Sequence, residues 1–144
     1  MTKSEIQNAI VQEALSWLGT PYHHQGRVKG CGVDCGTLLC EVFEAVKLIE
    51  HYDPRPYPPD WHLHQLGQRY LEHVQKMCYE VDDPQPGDIV LYQFGKCVSH
   101  GAIVIKWPQI IHSYIRQGVI LQDGTKGSLS KRIVGFYRVL RLKD

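Results

Sequence analysis

Gly30-Cys31-Gly32-Val33-Asp34-Cys35-Gly36-Thr37 decides the fold, because it delivers one cysteine to the start of a helix. After it, Leu38, Leu39, Val42, Phe43, Val46 and Ile49 recur at three- and four-residue spacing, the stripe of an amphipathic helix. Glycines at 30 and 32 keep that helix from starting earlier, and Asp34 is a favoured N-cap type. Cys35 then falls in the first turn, among unpaired backbone N–H groups at the positive end of the helix dipole. Such surroundings favour a thiolate and lower a cysteine pKa. The competing reading is a small buried residue at a helix start. A base elsewhere in the chain has to decide between them.

Bulk properties exclude several classes. At 144 residues the chain is read as one domain, residues 1–144, with enough length for a core. A net charge of +1 provides no electrostatic footprint for nucleic acid. No apolar run approaches the roughly 20 residues that span a bilayer. Met1 to Ser16 lacks a basic head followed by a hydrophobic block, so the expectation is synthesis in the cytoplasm without a Sec-type signal. Five cysteines, at 31, 35, 40, 78 and 97, form no Cys-x-x-Cys pair, and the odd count argues against a disulfide framework. Cys31 and Cys35 with the histidines at 23, 24, 62 and 64 match no usual zinc spacing, so neither metal nor cofactor is expected. Cys40, Cys78 and Cys97 read as packing residues.

Taken in order, the chain opens with Ser4 and Gln7 in a capping-box pattern, and Ile6, Ile10, Ala14, Trp17 and Leu18 on one helical face. Gly19 and Pro21 end that helix. The loop from Thr20 to Cys31 carries Tyr22, His23, His24, Gln25, Gly26 and Arg27 toward the cysteine helix, with the two histidines read as solvated. Four prolines between His51 and Asp60 read as an extended connector. A third helix follows, with Leu63, Leu66, Tyr70, Val74 and Met77 inward and His62, His64 and His73 outward. At Asp83-Pro84-Gln85-Pro86-Gly87-Asp88 the periodicity changes. Five β-rich runs come after it: Ile89–Gln93, His100–Lys106, Gln109–Ile115, Val119–Gln122 and Ile133–Leu142. Helices first and an antiparallel meander second is an α+β order, N-terminal helices packed on a sheet of about five strands.

His100 opens an otherwise apolar strand, and His112 is embedded between Ile110-Ile111 and Ser113-Tyr114. Each alone reads as a satisfied core histidine; together, on adjacent strands, they read as a base and the group that orients it. The register leaves alternatives open. A tight turn near Lys106 sets His100 opposite His112, whereas a two-residue Trp107-Pro108 turn sends the rings to opposite faces. A β-bulge restores the alignment.

Four stretches then resemble one family. Leu18-Gly19-Thr20-Pro21-Tyr22, Gly32-Val33-Asp34-Cys35, Pro86-Gly87-Asp88-Ile89-Val90, and Ser99-His100-Gly101-Ala102-Ile103-Val104 with Ile111-His112-Ser113 resemble the NlpC-type, papain-like cysteine peptidases. Tyr22-His23-His24-Gln25-Gly26-Arg27 is similar to the form carried in phage tails and gene-transfer particles. The resemblance, over roughly residues 10 to 140, implies a papain-like fold and hydrolysis of peptide stems in bacterial peptidoglycan. It implies Cys35 as nucleophile, His100 as base and His112 as its orienting residue, with Tyr22, Asp34 and Gly36 at the oxyanion and substrate-binding positions. It also implies phage tail-tip proteins as partners, and delivery to a virion tail, the periplasm or the cell wall. Two positions depart from the pattern. Gly36 stands where many members have a serine tied to recognising a stem-peptide amine, and His23-His24-Gln25 replaces a glycine pair. An acyltransferase or deamidase on the same scaffold and a tail-tip assembly component are the alternatives.

Overall fold

A computed structural model describes residues 1–55 and 69–143. The first helix, α1 (Lys3–Leu15), starts at a capping box two residues earlier than the Ser4–Gln7 pattern. Thr2 Oγ1 accepts from the Glu5 N–H and the Glu5 carboxylate accepts from the Thr2 N–H, satisfying two otherwise orphaned donors. Regular helix stops at Leu15, before Trp17 and Leu18. Trp17 is still buried, but Leu18 is exposed, and Gly19 takes the left-handed conformation (φ 85°) that turns the chain. A short hairpin, β1 (Arg27–Val28) and β2 (Gly32–Val33), leads into α2 (Cys35–Ala45).

Among the described residues α3 runs Arg69–Met77, with Tyr70 and Val74 buried as expected. His62, Leu63, His64 and Leu66 lie outside the described residues, as does the connector beyond residue 55. His73 is half-buried rather than outward, and is hydrogen-bonded to the Tyr52 hydroxyl.

Among the described residues the sheet has six strands, not about five. They are β3 (Cys78–Val81), β4 (Ile89–Phe94), β5 (Cys97–Lys106), β6 (Gln109–Tyr114), β7 (Gly118–Asp123) and β8 (Ile133–Val139). Their order is β3-β8-β4-β5-β6-β7, antiparallel throughout. The extra strand, β3, follows α3 without an intervening turn, so its four residues carry no boundary signal in sequence. It pairs with the last strand, a partner about sixty residues away.

Helices cover one face of the sheet. Ile10, Ala14, Trp17, Leu38, Val42, Phe43 and Tyr70 pack there against Ile89, Leu91, Ile103, Ile111 and Val139. The other face has its own cluster, Val90, Tyr92, Ala102, Val104, Ile110 and Leu129. Burial on both faces explains why Ile89-Val90-Leu91-Tyr92 shows no polar alternation, and each such side chain contributes about 1.5–3 kcal/mol. One ion pair is enclosed with them. Arg138 donates from Nε and Nη2 to the two oxygens of Asp88, each at 2.9 Å, across β8 and the start of β4. None of the described helices is long and apolar enough to cross a membrane.

Candidate active site

The first turn of α2 is built by Asp34. Its Oδ1 accepts from the N–H groups of Gly36 and Thr37, each at 2.9 Å, and the Thr37 hydroxyl accepts from the Asp34 N–H at 3.0 Å. Its Oδ2 accepts from the Gln25 N–H at 2.7 Å, fastening the preceding loop. The Cys35 N–H makes no hydrogen bond among the described residues. One helix-tip donor is therefore left beside the thiol.

The thiol itself does not behave as the helix tip alone would dictate. Cys35 is 9 % exposed, and its Sγ donates to the Ser99 carbonyl at 3.7 Å. Burial first, and the Asp34 carboxylate second, push its pKa up to about 12. A helix terminus offers roughly half an elementary charge. The adjacent cap offsets that with a full negative charge, and desolvation of a thiolate adds to the penalty. The low-pKa thiolate expected from the sequence is corrected to a neutral resting thiol.

Tyr22 is brought alongside by a parallel bridge to Val33, in which Val33 N–H donates to Pro21 O and His23 N–H to Val33 O, both at 3.1 Å. The half-buried Tyr22 hydroxyl keeps its proton, its pKa raised by burial first and by the neighbouring Cys35 and Asp34 groups after it. It remains a donor. Gly26 and Gly32 permit this fold of the loop: a Cβ on Gly26 would lie 2.6 Å from Gly32 O, and one on Gly32 would lie 2.6 Å from His23 Cβ. Arg27 secures the loop to α2 through Glu41 at 2.7 Å and to the following segment through Tyr52 O at 2.7 Å. His24 is half-buried, with Nδ1 3.9 Å from Asp34 Oδ2, while His23 is exposed.

The β5–β6 register combines the two-residue turn with a bulge, and the tight turn near Lys106 that would set His100 directly opposite His112 does not form. Lys106 pairs with Gln109 across Trp107-Pro108, the turn that alone would separate the rings. A register shift between Val104 and Lys106 then pairs Val104 with Ile110 and Ile103 with Ile111. That shift returns His100 and His112 to one face. His100 Nε2 lies 2.7 Å from His112 Nδ1, and His112 Nε2 lies 2.9 Å from Gln122 Oε1 on β7. Tyr114 stacks on His112, and Tyr92 and Phe94 border His100. Burial and the neighbouring His112 hold the His100 pKa well below the ordinary value. Burial lowers His112 to about 4, against a smaller opposing effect of Gln122. Both rings are neutral at pH 7.

The Cys35 sulfur lies against the stretch of β5 that carries His100. The thiol's acceptor is the carbonyl just before His100, and the Gly101 N–H just after it stabilises charge on the same sulfur. His100 Nδ1 makes no hydrogen bond among the described residues, which leaves it available as a proton acceptor. Ser113, next to His112, donates to Val33 O at 2.7 Å, so one carbonyl anchors both the Tyr22 loop and β6. Gly36 lines an apolar pocket together with Leu39, Phe43, Tyr52, Tyr70 and Val74. Among the described residues no group of three or more His, Cys, Asp or Glu is placed to hold a metal.

Two participants escaped the sequence reading. Tyr70, assigned only to an apolar helix face, donates from its hydroxyl to Cys35 O at 3.2 Å. Gln122 had no signal at all, because its contact with His112 depends on the β6–β7 register.

Solved structures of low identity share this fold. The NlpC/p60 domain of the peptidoglycan hydrolase SagA aligns with a TM-score of 0.61 at 20% identity, covering 91% of this chain and 96% of that one. An NlpC/P60 family protein from Bacillus cereus gives 0.67 at 20% identity, covering 93% of this chain and 40% of its own. RipD from Mycobacterium tuberculosis, described as a non-catalytic NlpC/p60 domain protein adapted to peptidoglycan binding, gives 0.59 at 13% identity, covering 94% and 97%. No curated protein matches. The sequence profile of the NlpC/P60 family matches residues 19–138, most of the length and every element of the candidate site. The chain belongs to the NlpC/P60 family.

Proposed function

We propose that this protein is a cysteine peptidase that hydrolyses amide bonds in peptidoglycan stem peptides, with Cys35 as nucleophile, His100 as base and His112 orienting it. One observation carries the reading: the Cys35 thiol lies against the peptide groups that flank His100, and His100 is hydrogen-bonded to His112. Family membership supports the same class of chemistry, and SagA, a peptidoglycan hydrolase, supports the substrate.

The chemistry follows from neutral partners. Cys35 leaves the Ser99 carbonyl and passes its proton to His100 Nδ1 as the sulfur attacks the amide carbon. Transfer accompanies attack, because a thiol near 12 and an imidazole below its ordinary range do not form a resting ion pair. The Cys35 N–H and the Tyr22 hydroxyl face the developing oxyanion, each such donor being worth about 2.7–4 kcal/mol. His100 returns the proton to the leaving amine as the C–N bond breaks. Water, deprotonated by His100, then cleaves the thioester, and the proton goes back to sulfur. Asp34 acts on this sequence indirectly, since both its oxygens already accept backbone N–H groups. Gly36 presents no side chain to hold a substrate amine.

Release of new amino termini from purified peptidoglycan tests the reading: wild type is expected to liberate them and Cys35→Ala to liberate none. A binding role without turnover, as in a tail-tip component that engages the wall, is the second reading. It is favoured by the buried thiol, which bonds to a carbonyl rather than to the imidazole. In that case both proteins co-sediment with peptidoglycan and neither cleaves it.

A further inference from the structure

We propose that Gln122 is a positioning residue that sets the tautomers of both histidines and thereby decides which nitrogen of His100 is the base. The proposal rests on the Cys35–His100 reading and extends it by one residue along β7. Gln122 pairs with Ile110, and His112 pairs with Ile120, so Gln122 and His112 are diagonal neighbours on one face of the sheet.

An amide oxygen only accepts, so the 2.9 Å bond from Gln122 Oε1 places a hydrogen on His112 Nε2. A neutral imidazole has one N–H, which leaves a lone pair on His112 Nδ1. That lone pair, 2.7 Å from His100 Nε2, places the hydrogen of His100 there. The lone pair of His100 then falls on Nδ1, the nitrogen with no hydrogen bond among the described residues. Turning the amide over reverses every step and leaves His100 Nδ1 protonated and useless as a base. The reversed chain also fails during turnover. Once His100 carries the thiol's proton, both its nitrogens are donors, and a donor on His112 Nδ1 would face another donor.

Two-bond ¹H–¹⁵N correlation on the full chain, labelled at histidine and held at pH 7, reads each ring's tautomer without reference to turnover. Wild type is expected to show Nε2–H on both His100 and His112. Gln122→Met preserves volume but removes the acceptor, and Gln122→Glu keeps an acceptor-only partner. The Met variant is expected to lose the His112 Nε2–H preference. Its kcat on peptidoglycan should fall at least about tenfold with KM unchanged, short of the ~10⁴ lost when a triad's orienting residue leaves the wrong tautomer. The Glu variant is expected to keep both tautomers, to recover most of that kcat, and to move the acid limb of the pH profile upward by stabilising the His112 cation. Wild type showing Nδ1–H on His112 overturns the proposal, and so does a folded Met variant with unchanged tautomers. A Glu variant as impaired as the Met variant also overturns it. If Met at 122 prevents folding, the wild-type and Glu spectra decide. Expected tautomers in a protein without hydrolysis would sink the peptidase reading and leave this inference standing.

Discussion

His100 Nε2 and His112 Nδ1 lie 2.7 Å apart in a pocket where burial keeps both rings uncharged. Each ring's folded-state pKa lies below the roughly 6.5 of an exposed histidine. Above that pH neither folded nor unfolded chain protonates them, and stability is unaffected. As pH falls from about 6.5, the unfolded chain takes up protons that the folded chain refuses, so stability is lost until His112 itself protonates near 4.

The pH dependence follows directly. Urea midpoints measured from pH 7 to pH 4 are expected to fall, with His112 contributing about 3 kcal/mol of the loss across that window. His112→Asn, which has no proton to take up, is expected to show a shallower decline than wild type. Parallel profiles for the two proteins would contradict the neutral buried ring.

Thiol reactivity gives a second expectation. Cys31 is exposed, whereas Cys35 is buried with its pKa pushed up to about 12. Iodoacetamide at pH 7, followed by peptide mass mapping, is expected to modify Cys31 first and Cys35 slowly. The Cys35 rate should climb through the alkaline range. Asp34→Asn removes one of the two causes of the high pKa and is expected to speed Cys35 alkylation while retaining most of the cap. Faster labelling at Cys35 than at Cys31 would contradict the neutral thiol.

Gly101 is the point where β5 admits α3. A Cβ there would stand 2.6 Å from the Tyr70 hydroxyl and 3.1 Å from Leu39 Cδ1. Gly101→Ala is expected to destabilise by about 1–3 kcal/mol, the usual cost of overpacking, and to displace Tyr70 from Cys35 O. Tyr70→Phe removes the obstructing oxygen, so the double variant should be less destabilised than the two single losses added together. Thermal melts of the four proteins check this, and strict additivity would refute it.

The Asp88–Arg138 pair predicts a similar cycle. Arg138→Met strands a carboxylate with no exposure and is expected to cost about 3–5 kcal/mol. Adding Asp88→Leu should recover most of that loss, because two well-packed apolar residues leave no buried charge. Denaturant unfolding of the single and double variants measures the difference.

Local signals made α2 legible: glycines to delay it, Asp34 to cap it, and an apolar stripe to bury it all lie within twenty residues. The strands from Ile89 onward were legible for the same reason, each being bounded by turn residues. β3 was not, since its partner is the last strand and no turn precedes it. The pairing of His100 with His112 could be posed but not decided, because it depends on a single-residue shift between Val104 and Lys106. Gln122 lies beyond local inference altogether: glutamine on a strand reads as a solvated side chain until β7 is docked on β6. The thiol's acidity runs opposite to what a helix tip alone implies, because burial first and the Asp34 charge second outweigh the dipole, and neither the depth of Cys35 nor its desolvation shows in local sequence.

The most direct test is digestion of defined muropeptides in H₂¹⁸O by wild type and Cys35→Ala, with products identified by mass spectrometry. Wild type is expected to cleave the amide and place one ¹⁸O in the new carboxyl group, and the folded Cys35→Ala protein is expected to cleave nothing. Cleavage by Cys35→Ala at the wild-type rate, or intact muropeptides with both proteins, would contradict the Cys35 peptidase reading.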